Sequence, residues 1–312
     1  MNEPLTPSNA NRLAIGLARY RGIPYAEAAQ ILRSLSLRIV ANTTACSRVA
    51  GQAAVLTAIN TAHRAFLGGV EFIVPEAVPL LLPIPGVKSL REAIALTGCT
   101  PVSLAKQTHT VFIGNPSGDN PWDDVLVHCD GWRGGSSDLG APAQFEIGDA
   151  DDFALGGIFG GASAVHRCFV RATGMPANCL NAPCGFSLWA PGSEWLKPEG
   201  QRHLFNIPIH FWMLGLGHLG QGFLWNLAIL PHSSREDVLF LLNDFDSIEE
   251  TNLGSGLLCT RTSVGQKKAR YCAAWLEKFG FATTVCERPF GPDTKRTGKE
   301  PAIAFCGFDV HV

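Results

Sequence analysis

Ile209-His210-Phe211-Trp212-Met213-Leu214-Gly215-Leu216-Gly217-His218-Leu219-Gly220 is the stretch whose reading decides the fold. An apolar run ends in a glycine turn, and an amphipathic segment follows from Gln221 to about Leu230. A second apolar run, Val238 to Leu242, ends in Asn243-Asp244-Phe245-Asp246. The order is strand, glycine loop, helix, strand, acidic tip, which a mononucleotide-binding βαβ unit requires. Gly215 can turn sharply because it has no Cβ. Gly217 lets the backbone approach a phosphate, and Gly220 lets the helix pack closely on the strand. Unpaired amides in the helix's first turn, with the partial positive charge there, favour an anion. A carboxylate at Asp244 suits a ribose. The competing reading is a tight strand-to-helix turn that binds nothing.

Outward from this unit, 312 residues are enough for about two domains. Hydrophobic residues make up 46% and charged residues 17%, which provides for sizeable cores and disfavours long disordered tracts. A net charge of −2 gives no footprint for nucleic acid or an anionic membrane. The ten cysteines include no CxxC pair, so no structural zinc site is expected. No cleavable signal sequence is read at Met1 to Pro7, and scattered cysteines point to a reducing cytoplasm. Ile209 to Leu230 is apolar, but its glycines, Gln221, Asn226 and the following Pro231 fit a buried strand and helix better than a membrane span.

The first two-thirds alternate elements in an α/β manner. Helices are expected at Asn9–Tyr20, Tyr25–Leu35 and Gly51–Phe66, with a break at Asn42-Thr43-Thr44. Strands are expected at Val70–Val74, Thr108–Gly114 and Asp124–Cys129, and a helix at Ser89–Leu96 with Glu92 as capping partner. Gly131–Pro142 reads as a loop. Asp149, Asp151 and Asp152 lead a small-residue helix from Phe153 to Arg171, acids that suit its N-terminus. Those acids, Asp130 and His128 are read as structural rather than catalytic or metal-binding. The division falls at Pro198–Gln201, giving an N-terminal α/β domain over 1–200 and a nucleotide-binding domain over 201–312. Gly51-Gln52 before Val70 echoes Gly220-Gln221 before Val238, so the first domain reads either as a degenerate Rossmann-like copy or as an ordinary α/β layer that looks alike.

Beyond the acidic tip come Ile248-Glu249-Glu250-Thr251-Asn252-Leu253, then Gly265-Gln266-Lys267-Lys268, and finally Ala302–Gly307 with Asp309. With the glycine turn and Asp244-Phe245-Asp246, this resembles the ThiF/MoeB-type, ubiquitin-activating-enzyme-like adenylyltransferases, over about Ile207 to Asp309. The resemblance implies a Rossmann-like C-terminal domain that binds ATP with Mg²⁺. It implies that Gly215, Gly217, His218 and Gly220 form the phosphate turn and that Asp244 holds the ribose. Asn252, Ser255 and Lys268 would line the triphosphate, Lys268 stabilising departing pyrophosphate. Asp309 would hold Mg²⁺ through oxygen. The implied reaction activates the C-terminal carboxylate of a ubiquitin-like protein or peptide as an acyl-adenylate, within a homo- or hetero-oligomer.

Two positions depart from the family. His218 stands where a glycine is usual, and Ser255 where a phosphate-binding arginine is usual. The family also continues past the metal-binding strand with further strands, a crossover loop and often a catalytic cysteine. The chain therefore reads as C-terminally shortened, and inactivity through truncation stays open. Two other readings stand beside the lead: an NAD-dependent dehydrogenase, which GxGxxG and a strand-end Asp fit equally well, and a non-enzymatic pseudo-adenylyltransferase that binds a protein partner.

Overall fold

The computed structural model describes residues 11–104, 109–116, 124–140, 144–148, 152–176, 180, 182–198, 207–291, 294, 298 and 300–307. Asp309, Asp149, Asp151 and most of the expected boundary at Pro198–Gln201 lie outside the described residues. The fold is α/β, with parallel-dominated sheets in two compact units. The N-terminal unit comprises Ala14–Leu82 and Gly86–His203. The C-terminal unit joins Met1–Leu13 and Pro83–Pro85 to Leu204–Val312.

The N-terminal unit's elements run in the order α1 (Arg12–Arg21, whose first two residues group with the other unit), α2 (Tyr25–Ser34), β1 (Ser36–Ala41), α3 (Thr43–Cys46), α4 (Val49–Ala65), β2 (Gly69–Ile73), α5 (Leu90–Ala95), β3 (His109–Ile113), β4 (Val125–Asp130), β5 (Arg133–Asp138), α6 (Ala154–Thr173) and β6 (Cys184–Ser187). Their strands form one sheet in the order β2-β1-β3-β4-β5-β6, parallel as far as β4 and antiparallel from β4 to β6.

Three strands of this unit were not expected: β1, β5 and the short β6, which lies in a stretch read as irregular. β1 follows α2 after one residue, and its centre carries Arg38. Burial nevertheless alternates, with Leu37, Ile39 and Ala41 inside, and Arg38 pairs across the ladder with Glu71. β5 lies in the stretch read as a loop. Its Arg-Gly-Gly-Ser-Ser-Asp sequence has little intrinsic strand preference. Close packing selects it, because a Cβ on Gly134 would lie 2.2 Å from the Gly156 carbonyl oxygen of α6.

Glycine sets the spacing of α6 elsewhere too. A Cβ on Gly157 would lie 1.9 Å from the Ala50 oxygen, and one on Gly161 would lie 2.5 Å from the Ala54 oxygen. Asp152 behaves differently from the expectation. Instead of capping α6, its carboxylate accepts from the Val49 and Ala50 amides at 2.5 and 3.0 Å, and so closes the N-terminus of α4. Asp130 also has a structural role, holding Arg133 (2.5 Å), Arg48 (3.1 Å) and the Gly148 amide (3.0 Å).

The C-terminal unit runs β7 (His210–Leu214), α7 (His218–Ile229), β8 (Leu239–Asn243), α8 (Lys268–Lys278), β9 (Ala282–Cys286) and β10 (Ile303–Cys306). Its sheet is parallel throughout, in the order β10-β7-β8-β9. Phe211 stacks on Phe240 with centroids 5.1 Å apart, and Phe281 packs edge-on against Phe240, which gives the sheet an aromatic core. Among the described residues, no helix is long and apolar enough to cross a membrane, and the described cysteines are all free thiols.

His128 on β4 bonds Ser137 at 2.8 Å and packs against Phe145 and Trp195. Burial, helped by the charge of Arg167, lowers its pKa to about 4; burial and Arg64 do the same to His63. Both stay neutral in the fold at pH values where the unfolded chain is already protonated. Their contribution to stability is therefore complete above about pH 6.5 and is lost as pH falls towards 4. We expect the urea midpoint to decline from pH 7 to pH 5, and His128→Gln to decline less steeply. Equal slopes for the two proteins would remove His128 as a source of that dependence.

Candidate functional site

The glycine turn joins β7 to α7. Gly215 adopts φ +82°, a left-handed conformation that disfavours a side chain. A Cβ on Gly220 would stand 2.0 Å from the Gly215 carbonyl oxygen, so only glycine lets the helix begin this close to the strand end. A Cβ on Gly217 would meet only the Gly307 oxygen, at 3.9 Å, an ordinary contact distance. His218 and Leu219 begin the helix and are exposed. The amides of Gly217, His218 and Leu219 have no partner among the described residues, as is usual for the first turn of a helix.

The next strand supplies the acidic edge. Asp244, 7% exposed, accepts from the Leu216 amide at 2.6 Å with one oxygen and from the Asp246 amide at 2.8 Å with the other. The carboxylate expected to hold a ribose is thus joined directly to the turn expected to hold phosphate. Lys268 is the first residue of α8, and its side chain is 11% exposed. Its ammonium meets the Asp246 carboxylate at 2.9 Å, and its amide donates to the Asp246 carbonyl at 3.0 Å. A bridge between Ser247 and Lys267 fixes the two segments side by side. Asp246 is half exposed, so the pair sits at a solvent edge.

Asn252 and Ser255 occupy a 3-10 turn, Glu250–Gly254, and its cap. The Asn252 side chain accepts from the Glu249 amide at 2.9 Å in a capping box, which gives it a structural role besides the one expected. Gln221 joins this turn's continuation to the glycine loop. Its amide group donates to the Leu216 oxygen at 3.1 Å and accepts from the Leu258 amide at 2.9 Å. Beneath the site lies Cys272, whose thiol pKa is pushed far up, first by burial and then by neighbouring Cys259 and Asp244. It is an inert core group.

The structure therefore gathers Gly215, Gly217, His218, Gly220 and Asp244, with Lys268 attached through Asp246. Gln221 ties the segment after Asn252 and Ser255 to the same turn. Asp309 lies outside the described residues. Two contributors went unread as site residues. Asp246 was visible in Asp244-Phe245-Asp246, while Gln221 gives no signal apart from its place after the last glycine.

Residues 36–188 match the BilD N-terminal domain and residues 207–312 the BilD C-terminal domain. The chain is also similar to the Bacterial E1-like protein BilD of Collimonas sp. (strain OK412), at 34% identity over 289 residues. That match covers 90% of this chain and 61% of the relative, so the chain spans about three-fifths of that protein's length.

Replacing Asp244 with Ala leaves the buried Leu216 amide without its acceptor. We expect a loss of about 1–3 kcal/mol in urea unfolding, and a smaller one for Asp244→Asn, which keeps an oxygen. An Asp244→Ala protein as stable as wild type would show that the carboxylate does not hold the turn.

Proposed function

We propose that the C-terminal unit binds ATP with Mg²⁺ and adenylates the C-terminal carboxylate of a ubiquitin-like protein or peptide. The observation that carries this reading is the meeting of the glycine turn, Asp244 and the Lys268–Asp246 pair at the C-terminal ends of β7 and β8. Similarity to an E1-like protein supports the substrate class. The ThiF/MoeB-type resemblance supports the nucleotide.

In this reading the amides of Gly217, His218 and Leu219 receive phosphate oxygens, and Asp244 accepts from the ribose hydroxyls. An attacking carboxylate needs no general base, because it is ionised at neutral pH. Its oxygen forms a bond to the α-phosphorus as the bond to the departing pyrophosphate breaks. Lys268 turns from Asp246 to the charge developing on that leaving group. Mg²⁺ takes oxygen ligands and shares them with phosphates and water; the half-exposed Asp246 carboxylate has suitable chemistry, and Asp309 is the second proposed ligand. Bound there, the ion would neutralise phosphate charge.

In the N-terminal unit the first α4 amides are already taken by Asp152, which confines the nucleotide proposal to the C-terminal unit. The arginine missing at Ser255 has a candidate substitute within the same unit. Asn11 packs on Gly254, where a Cβ would stand 2.8 Å from its side-chain nitrogen, and exposed Arg12 follows. We assign the phosphate contact to Arg12. Ser255 and His218 instead favour a pseudo-enzyme that binds a partner without chemistry.

Calorimetric titration with ATP, with and without Mg²⁺, tests the nucleotide claim; no heat in either case removes it. Carboxylate-dependent pyrophosphate exchange tests the chemistry. Lys268→Ala should lower the rate about 100-fold or more, and Arg12→Ala should also lower it. ATP binding with no exchange in wild type would leave the pseudo-enzyme reading, and an unchanged Arg12→Ala rate would refute that assignment.

A further inference from the structure

We propose that Gln221 is the positioning residue that preorganises the phosphate turn, an inference that rests on the nucleotide reading above. The turn contains Gly215 and Gly217, residues that tolerate many backbone conformations. A turn left free to sample them would have to be ordered by each arriving nucleotide, at a cost to affinity. The Gln221 side chain removes freedom beyond the ordinary helix bond that any residue at this position would make. The backbone N–H donates to the Gly217 oxygen at 3.0 Å, and the side-chain Nε2 donates to the Leu216 oxygen at 3.1 Å. Two successive carbonyls of the turn are thereby drawn towards the helix.

The other end of the same side chain is equally engaged. Oε1 accepts from the Leu258 amide at 2.9 Å, while Nε2 lies 3.3 Å from the Cys259 sulfur. Gly256 keeps this approach open, since a Cβ there would stand 3.0 Å from Oε1 and 2.7 Å from the Cys259 sulfur. One side chain, 1% exposed, thus fixes the turn against the segment that follows Asn252 and Ser255. The two segments are far apart in sequence, and Gln221 sets their spacing.

The N-terminal unit contains the same device without the nucleotide chemistry. Gln52, fully buried, donates from Nε2 to the Cys46 oxygen at 2.9 Å and to the Pro79 oxygen at 2.8 Å. Its Oε1 accepts from the Leu81 amide at 2.8 Å. Each glutamine follows a glycine jammed against the preceding segment: Gly51 with a Cβ position 1.9 Å from the Ala45 oxygen, and Gly220 at 2.0 Å from the Gly215 oxygen. Gln52 is therefore an internal control, because its loss removes the same bonds at a place where no nucleotide is proposed.

The experiment compares Gln221→Leu with Gln52→Leu in the full chain. Both should lower the thermal midpoint. Only Gln221→Leu should raise the Kd for MgATP, by about tenfold or more, and speed hydrogen exchange over 214–219. An unchanged Kd in Gln221→Leu, or an equal rise in Gln52→Leu, overturns the proposal. If Gln221→Leu does not fold, Gln221→Glu keeps the shape and the acceptor for Leu258 but cannot donate to Leu216 when ionised. Its Kd should be raised at pH 8 and fall towards wild type as the carboxyl protonates, and a wild-type Kd at pH 8 overturns the proposal. Should wild type bind no ATP, the adenylation reading fails separately, and exchange at 214–219 decides the turn's anchoring: unchanged protection in the Gln221 variants refutes it.

Discussion

The C-terminal unit depends on how near a helix can begin to the end of the strand before it. At Gly220 that separation leaves no room for a single methyl group, since a Cβ would fall 2.0 Å from the Gly215 oxygen. This contact places the first turn of α7 at the strand end, so its amides, without partners among the described residues, sit near the tip of the neighbouring strand. Asp244 can then reach the Leu216 amide at 2.6 Å. Gly307, at the end of β10, closes the other side; a Cβ there would stand 2.7 Å from the Gly220 amide nitrogen. Glycines at three strand or helix ends thus create one shared corner.

Around that corner each charged group has a defined partner. Asp244 is occupied by backbone amides and Lys268 by Asp246. A lysine whose counterion is half exposed can exchange it for phosphate without leaving a buried charge unpaired, whereas a lysine paired deep in the core would be costly to separate. The location of Asp246 at the edge is therefore as important to the proposed chemistry as Lys268 itself.

The two units share more than an α/β class. In each, the strand preceding the Gly-Gln helix lies inside the parallel layer between two later strands: β2-β1-β3 in one and β8-β7-β10 in the other. Gly51 and Gln52 make the same close approach and bridging bonds as Gly220 and Gln221. That is the likeness a degenerate second copy would leave. The chemical difference lies at the helix start, where Asp152 places the protein's own carboxylate on the amides of α4. An anion is accommodated at both helix starts in this reading, but in one unit it is part of the chain.

By itself the sequence determined the C-terminal βαβ order, because apolar runs, three glycines and a strand-end acid are local signals with local physical causes. It also determined α4 and α6, whose apolar and small residues recur at helical spacing. Tertiary structure alone decided β5, since its polar, glycine-rich sequence becomes a strand only where α6 lies close enough to exclude side chains. It likewise decided β1, whose central Arg38 is accommodated by Glu71 on a neighbour 33 positions away. The roles of Asp152 and Gln221 were hidden for the same reason. Each acts on a segment distant in sequence, and a hydrogen bond across that distance leaves no periodicity to read.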